Sequence, residues 1–230
     1  MTAGGAEAVR YLPELTGDAR VDRWREHRAA VRAELVEATL RAIEEYGPEL
    51  SVDDVIRSAG IARPKLYRFF GDKQTLFSAV GEHVQAMVVE RVVPFFDVAG
   101  TALDLVRSAL VAYVDLVAAR PSLFRFLLGA QFTDRRSAAE LIEGGRPLAN
   151  AARDVVATVL SARGGDGDDL DCVIDATLGA VGLGVLRWLN EPSISKGRLV
   201  EQLTTLLWGA LSATAAARGV IFEPHERLIP

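Results

Sequence analysis

Gly60-Ile61-Ala62-Arg63-Pro64-Lys65-Leu66-Tyr67-Arg68-Phe69-Phe70-Gly71-Asp72-Lys73-Gln74-Thr75-Leu76 is the stretch that decides the fold. Pro64 stands where a first helical turn tolerates proline, because the missing N–H has no partner inside the helix there. The spacing therefore predicts a short helix over Arg63 to Phe69. Immediately upstream, Ser51 followed by Asp54 has the spacing of a capping box with a shorter acid, opening a brief helix that Gly60 closes. Two short helices joined by a tight glycine-containing turn form a helix-turn-helix, here spanning roughly residues 51 to 70. In that geometry Val52, Val55, Ile56, Ile61, Leu66 and Phe70 make a small core against Leu40 and Ile43, and Arg63, Lys65, Tyr67 and Arg68 point outward.

The outward set has the chemistry of a nucleic-acid reader. Arginine and lysine donate to guanine edges, while tyrosine hydroxyls, ammonium groups and helix N-termini suit phosphate oxygens. Between Arg57 and Lys73 the cations Arg57, Arg63, Lys65, Arg68 and Lys73 face the single acid Asp72. A second basic run, Arg20, Arg23, Arg25, Arg28 and Arg32, is interleaved with Asp22 and Glu26 and reads as a stripe flanking this patch. The whole chain nevertheless carries a net charge of −5, so polyanion binding has to be local.

Working outward, helical spacing dominates and strand alternation is nearly absent. Apolar positions from about Arg23 to Tyr46 recur at three-and-four spacing before Gly47 and Pro48. Asp72 caps a longer helix that Pro94 ends after about Val93. Further helices are predicted near Ala102–Ala119, Pro121–Leu128, Ser137–Ser161, Asp168–Leu189 and Ser195–Ala217, with Gly164, Gly165 and Gly167 marking one loop and Pro192 another. The expected organisation is a flexible arm over residues 1–22, a DNA-binding domain over 23–71, a helical domain over 72–218 and a tail over 219–230.

The run quoted above, together with Leu35-Val36-Glu37-Ala38, Ile43 through Gly47 and Ser51-Val52-Asp53-Asp54-Val55, resembles the DNA-binding domain of the TetR family of regulators. The specific part is a G-I-A-x-x-x-L-Y-x-F-F-x-D-K-x-x-L arrangement covering about a fifth of the chain. The resemblance implies an all-α fold of about nine helices, with an N-terminal three-helix DNA-binding domain and a larger ligand-binding and dimerisation domain. It implies phosphate contacts from Ser51, Tyr67 and Lys73, base contacts from Arg63, Pro64 and Lys65, and either role for Arg68. Two departures are visible: Ala62 stands where the family often has a capping Ser or Thr, and Pro64-Lys65 replaces a pair of small residues. The implied activity is that of a repressor released by a ligand, with a co-repressor or an activator as alternatives. The implied partners are double-stranded DNA with a near-palindromic operator, a second copy of the chain, and a small effector.

The last two long helices have the composition for self-pairing. Gly182 permits close approach, and Leu183, Leu186, Leu203, Leu207 and Trp208 supply apolar area, although the same residues also suit an intrachain core. Aromatic content gathers in the middle helices, where Phe96, Tyr113, Val117, Phe124, Leu127 and Leu128 are candidate pocket residues for a lipophilic effector, although a stripe of Phe and Leu at helical spacing equally suits a plain core. Tyr113 or Arg125 would orient a polar end.

Other classes have thin support. His27, His83 and His225 show no metal-ligand spacing, and no cofactor or metal is expected. Ser193 to Lys196 matches S-x-x-K without a K-T-G. Asp166, Asp168, Asp169 and Asp171 lack the glycine and glutamate of a calcium loop. The alternatives to a regulator are a helical binding or scaffold protein without specific DNA binding, and an enzyme without a legible catalytic set. The lone Cys172 fits a reducing compartment, and no basic start followed by an apolar run opens the chain, so a cytoplasmic protein without membrane association is expected.

Overall fold

A computed structural model describes residues 19–96, 100–131 and 137–228, with side chains excepted at 19, 20, 22, 128–131 and 137–142. Among the described residues there are nine α-helices, α1 (Ala19–Tyr46), α2 (Val52–Ala59), α3 (Arg63–Phe70), α4 (Lys73–Val92), α5 (Ala102–Ala119), α6 (Pro121–Gln131), α7 (Ser137–Ala162), α8 (Asp171–Asn190) and α9 (Lys196–Ala216), plus a 3-10 turn over Val93–Phe95. No strand forms among them beyond an isolated antiparallel bridge between Thr101 and Arg227. The expected all-α class is what is found. The chain divides into two compact units, Met1–Ala86 and Met87–Pro230. That division falls inside α4, whereas the sequence suggests a boundary at 71/72, because α4 runs on without a breaking residue to mark it.

In the first unit, α1, α2 and α3 pack on one another. α1 begins at Ala19, four residues before the spacing predicts, so the last residues of the expected arm are helical; residues 1–18 of that arm lie outside the described residues. It presents Leu35, Val36, Ala38, Leu40, Ala42 and Ile43 to the core. Thr39 is also fully buried there, and its hydroxyl donates to the Leu35 carbonyl at 2.7 Å, so no polar atom is stranded. Val55, Leu66 and Phe70 are buried as expected, each such side chain contributing about 1.5–3 kcal/mol of transfer free energy. Val52 and Ile56 are only half-buried, since they flank the inward line of α2 through Val55, and Ile61, in the turn after it, is half-buried too. The Ser58 hydroxyl donates to the Ala38 carbonyl at 3.4 Å, tying α2 to α1.

Arg32 holds α3 to α1. Its Nη1 donates to the Phe69 carbonyl at 2.6 Å, and its guanidinium lies 4.3 Å from the centroid of the Phe70 ring. The sequence places Arg32 in a basic stripe. In the structure it caps the C-terminal end of α3, satisfying a carbonyl that the helix cannot.

In the second unit α5 packs on α9, α8 on α7 and α9, and α6 on α7 and α8. Thr101 caps α5 by accepting from the Asp104 N–H at 3.2 Å, and Ser195 caps α9 through the Arg198 N–H at 3.2 Å. α8 begins at Asp171 instead of Asp168. Asp169 is left-handed at φ 54, and the Arg218 guanidinium takes the carbonyls of Asp168 and Asp169, each at 3.3 Å, so these residues are held outside the helix.

The tail folds back. Val220 and Leu228 are buried, and the Leu228 N–H donates to the Gly100 carbonyl at 3.2 Å. Arg163 clasps it: Nε donates to the Leu228 carbonyl at 3.1 Å, Nη1 to Glu226 at 2.6 Å and Nη2 to the Arg227 carbonyl, with the guanidinium 4.6 Å from the Phe222 centroid. The side-chain hydrogen bond from Arg163 holds the Glu226 carboxyl below its ordinary pKa of 4.5, with the Glu223 N–H adding to the effect.

Two outcomes follow. Arg32→Ala removes a charged hydrogen bond and a ring contact and should lower the stability of the first unit by about 1–3 kcal/mol, read as a lower Tm with helical content retained before the melt. Arg163→Ala should leave the helices intact but expose residues 219–228 to limited proteolysis. In the wild-type protein the clasp's contribution is present above about pH 4.5 and lost as pH falls through the depressed Glu226 pKa, so tail protection should fade only in that acid range.

Candidate nucleic-acid interface

Local sequence dictates how α3 is presented. Ser51 is the N-cap of α2: its Oγ accepts from the Asp54 N–H at 3.3 Å, and both its N–H and its hydroxyl donate to Asp54 Oδ2, at 2.8 and 2.7 Å. The Ser51 hydroxyl, then its N–H, holds the Asp54 carboxyl below its ordinary pKa. Gly60 ends α2 in the left-handed region (φ 62, ψ 34), and its N–H reaches the Arg57 carbonyl at 3.2 Å while Ile61 N–H reaches that of Ile56 at 3.2 Å. This reversal lets the next helix start after two intervening residues, at Arg63. Ala62 gives α3 no side-chain cap, as the sequence implies, and Pro64 at its first turn removes one N–H that would need a partner.

Arg63, Pro64, Lys65 and Arg68 are all exposed on α3 above buried Leu66, Phe69 and Phe70, and Tyr67 is half-buried. Arg63 Nη2 lies 2.5 Å from Asp53 Oδ1 of α2, across the turn. That hydrogen bond, with Tyr67 alongside, raises the guanidinium pKa above its usual value. The Arg68 guanidinium lies 5.1 Å from the Phe69 centroid, and Arg28 of α1 lies 6.0 Å from the same ring and 5.4 Å from that of Trp24. Lys73 opens α4 with its ammonium 4.8 Å from the Phe77 centroid. Asp72 Oδ1 accepts from the Thr75 N–H at 2.7 Å, a bond that holds its carboxyl below the ordinary value and makes it the α4 cap.

The sequence-expected residues are thus brought onto α3 and the starts of the helices before and after it. Ser51 is exposed, with its hydroxyl proton engaged by Asp54. Sequence reasoning passed over Asp53 as a partner of Arg63 and Arg28 as a neighbour of Phe69. Neither pairing has a sequence signal, since ten residues separate the first pair and forty-one the second.

In the second unit, Tyr113 of α5 and Phe124 of α6 meet edge to face, centroids 6.3 Å apart at 84°. Val117 and Phe124 are buried, Phe96 and Leu127 are half-buried, and the Leu128 side chain lies outside the described residues. Burial pushes the Tyr113 hydroxyl up to about 12, so at neutral pH it is a hydrogen-bond donor. Arg125 is committed elsewhere: its Nη2 donates to the Leu189 carbonyl at 2.6 Å, closing the end of α8.

Of the residues expected to pair two copies, Leu183 is 59% exposed and Gly182, Leu186, Leu207 and Trp208 are half-buried. Leu203 is buried within its own chain, its Cδ2 3.2 Å from where a Cβ on Gly184 would stand, so it belongs to the α8–α9 contact. Leu206, 49% exposed, is the outward residue of that turn.

Residues 35–80 match the family described as bacterial regulatory proteins, tetR family, and residues 91–221 match the tetracyclin repressor-like C-terminal domain. An uncharacterized HTH-type transcriptional regulator of Mycobacterium tuberculosis (strain H37Rv) is 27% identical over 214 residues, 93% of this chain and 91% of the relative. A tetR-family transcriptional regulator from Streptomyces coelicolor shares the fold with a TM-score of 0.61 at 20% identity, over 84% of this chain and 83% of that one. FadR from Bacillus subtilis, in complex with stearoyl-CoA, has a TM-score of 0.63 at 17% identity, over 76% of this chain and 96% of that one. A helix-turn-helix with its outward cations in place, continued by a matching C-terminal domain, places this chain in the TetR family of bacterial transcriptional regulators.

Proposed function

We propose that this regulator is a cytoplasmic homodimer that represses transcription from a near-palindromic operator and is released by a lipophilic effector. The observation that carries the DNA-reading part is α3, which presents Arg63, Pro64, Lys65 and Arg68 to solvent from a buried base of Leu66, Phe69 and Phe70. Arg63, Pro64 and Lys65 meet base edges; Ser51, Tyr67 and Lys73 meet phosphates; Arg68 serves either. Two such helices about one DNA turn apart, ~34 Å, read two half-sites.

Dimerisation is supported by the surface of α8 and α9. α8 has the length and apolar composition of a membrane-crossing helix, yet its buried residues are only Ile174, Val181, Val185 and Leu189. Leu183 and Leu206 stand in solvent in the single chain, and a second copy pairing through Gly182, Leu183, Leu186, Leu206, Leu207 and Trp208 covers them.

The effector reading rests on the apolar side chains of the middle helices and on a neutral donor, Tyr113, that meets Phe124 edge to face. Phe96, Val117, Phe124 and Leu127 supply the walls, and protonated Tyr113 donates to an acceptor at the polar end, a role for which Arg125 is not available. A fatty acyl thioester, the kind of ligand bound in the Bacillus subtilis structure, has this combination of long chain and carbonyl. α4 continues along the chain from the first unit into the second, and a coupling of about 1–3 kcal/mol, roughly 5- to 150-fold in affinity, suffices for a switch.

Duplexes selected from genomic fragments by the protein, measured by fluorescence anisotropy across a salt series, test the reading. Lys65→Ala should weaken selected-site binding by roughly 10-fold and narrow the gap to random duplex, whereas Tyr67→Phe should weaken both alike. No preference over random duplex in the wild type would remove the DNA-reading assignment. Leu183→Arg with Leu206→Arg should give a monomer in sedimentation and lose operator binding. Stearoyl-CoA should release the wild-type protein from DNA, with Tyr113→Phe requiring several-fold more ligand; release by no acyl thioester would remove that effector class.

A further inference from the structure

We propose that Asp53 sets the specificity of DNA reading by holding the Arg63 guanidinium in the orientation that meets its base, while its charge lowers phosphate affinity on every sequence. The inference rests on the assignment of Arg63 as a base-reading residue. Its physical starting point is that a carboxylate on a DNA-approaching surface is electrostatically unfavourable and calls for a reason. Asp53 lies in the first turn of α2, two residues from Ser51, and its side chain is 64% exposed.

Helix capping does not supply the reason. Asp54 already fills both halves of the capping box, accepting from the N–H and hydroxyl of Ser51 while its own N–H is taken by Ser51 Oγ. Asp53 is left over, and its Oδ1 is 2.5 Å from Arg63 Nη2. Among the described residues this is the ion pair that joins α2 to α3. Tyr67 lies one helical turn beyond Arg63 on α3, so Asp53, Arg63 and Tyr67 form a row from one helix to the next. An exposed pair of this kind adds little to folding stability, which points to a role on DNA.

Geometry gives that role two parts. An arginine fork has more donors than one carboxylate uses, and fixing one edge leaves the rest directed as a rigid unit, the arrangement that a guanine O6/N7 pair requires. Asp53 also repels phosphate on any sequence, while the favourable Arg63–base contact forms only at the correct one. Specificity is a difference of affinities: the repulsion lowers both alike and cancels from it, whereas the orientation of Arg63 counts only at the correct base and enlarges it. Asp53→Asn removes the charge and the ion pair but leaves the Ser51–Asp54 box, so the helix-turn-helix is retained.

The experiment takes a duplex selected by the wild-type protein from a randomised library and compares it with random duplex, for wild type, Asp53→Asn, Asp53→Glu, Arg63→Ala and the Asp53→Asn/Arg63→Ala double variant. Expected are several-fold tighter binding of random duplex by Asp53→Asn, a salt slope steeper by about one, and a selected-to-random ratio lowered about tenfold. Repeated selection with Asp53→Asn should relax preference at one base pair per half-site, with Asp53→Glu retaining it. In the double variant the ratio should match that of Arg63→Ala alone, because the two residues act as one unit. Equal shifts on both duplexes with base preference unchanged, or independent losses that multiply in the double variant, would overturn the inference. If Arg63→Ala lowers the ratio and Asp53→Asn does not, the orienting role fails and the base-reading assignment stands; if Arg63→Ala leaves the ratio unchanged, both fall.

Discussion

Neither α2 nor α3 is long enough to exist by itself. Each has eight residues, and helices shorter than about 12–15 residues are marginal in water because nucleation costs more than a few hydrogen bonds return. Their persistence depends on burying Val55, Leu66, Phe69 and Phe70 against α1, whose own inward line runs from Leu35 to Ile43. Packing on one long helix is therefore the constraint from which the reading surface follows. Once the inward residues are fixed, the 3.6-residue period leaves Arg63, Pro64, Lys65 and Arg68 no place but the outside.

The ends of α3 show how that constraint is met where propensity is weak. At its start there is no capping side chain, and Pro64 reduces the number of amides that need a partner. At its finish Gly71 turns the chain at φ 76, and Arg32 reaches across from α1 to the Phe69 carbonyl. The same guanidinium covers the Phe70 ring, so one side chain closes the helix and shields its apolar face. Cations in this unit have divided tasks. Arg32 is half-buried and structural, Arg28 and Arg68 flank the ring of Phe69, and Arg63 and Lys65 are left in the surface.

What was legible in the sequence was what short-range chemistry determines. The Ser51–Asp54 box, the left-handed Gly60, the Asp72 cap and the inward Val55, Leu66 and Phe70 all depend on residues within a turn or two of each other. What was not legible depends on partners far apart in the chain. Arg125 looks like a ligand-orienting cation until the Leu189 carbonyl is placed beside it, and Leu203 looks like an interface leucine until Gly184 brings α8 close. The start of α8 moved to Asp171 because Arg218, some fifty residues away, holds the two preceding carbonyls. Arg163 and the tail are the same kind of case, since no local period announces that residues 226–228 return to α7. The start of α1 at Ala19 differs: the residues before Arg23 lack an apolar repeat, and that helical turn extends an already nucleated helix.

An acidic protein that binds DNA has to separate attraction from repulsion in space. With five cations against one acid between Arg57 and Lys73 and a net charge of −5 for the whole, the rest of the chain is more acidic than the average suggests. At physiological ionic strength the screening length is about 8 Å, so phosphates near α3 feel mainly the charges on α3 and on the helix ends beside it. Distant carboxylates do not cancel that attraction, but they oppose nonproductive contacts made by any other part of the surface. On the proposed reading surface the same logic would operate at shorter range, because Asp53, paired with Arg63, is inside the screening length of any phosphate that Arg63 meets. On that proposal a negative charge set against a reading cation contributes to discrimination by orienting it, and at the same time lowers affinity for DNA of any sequence.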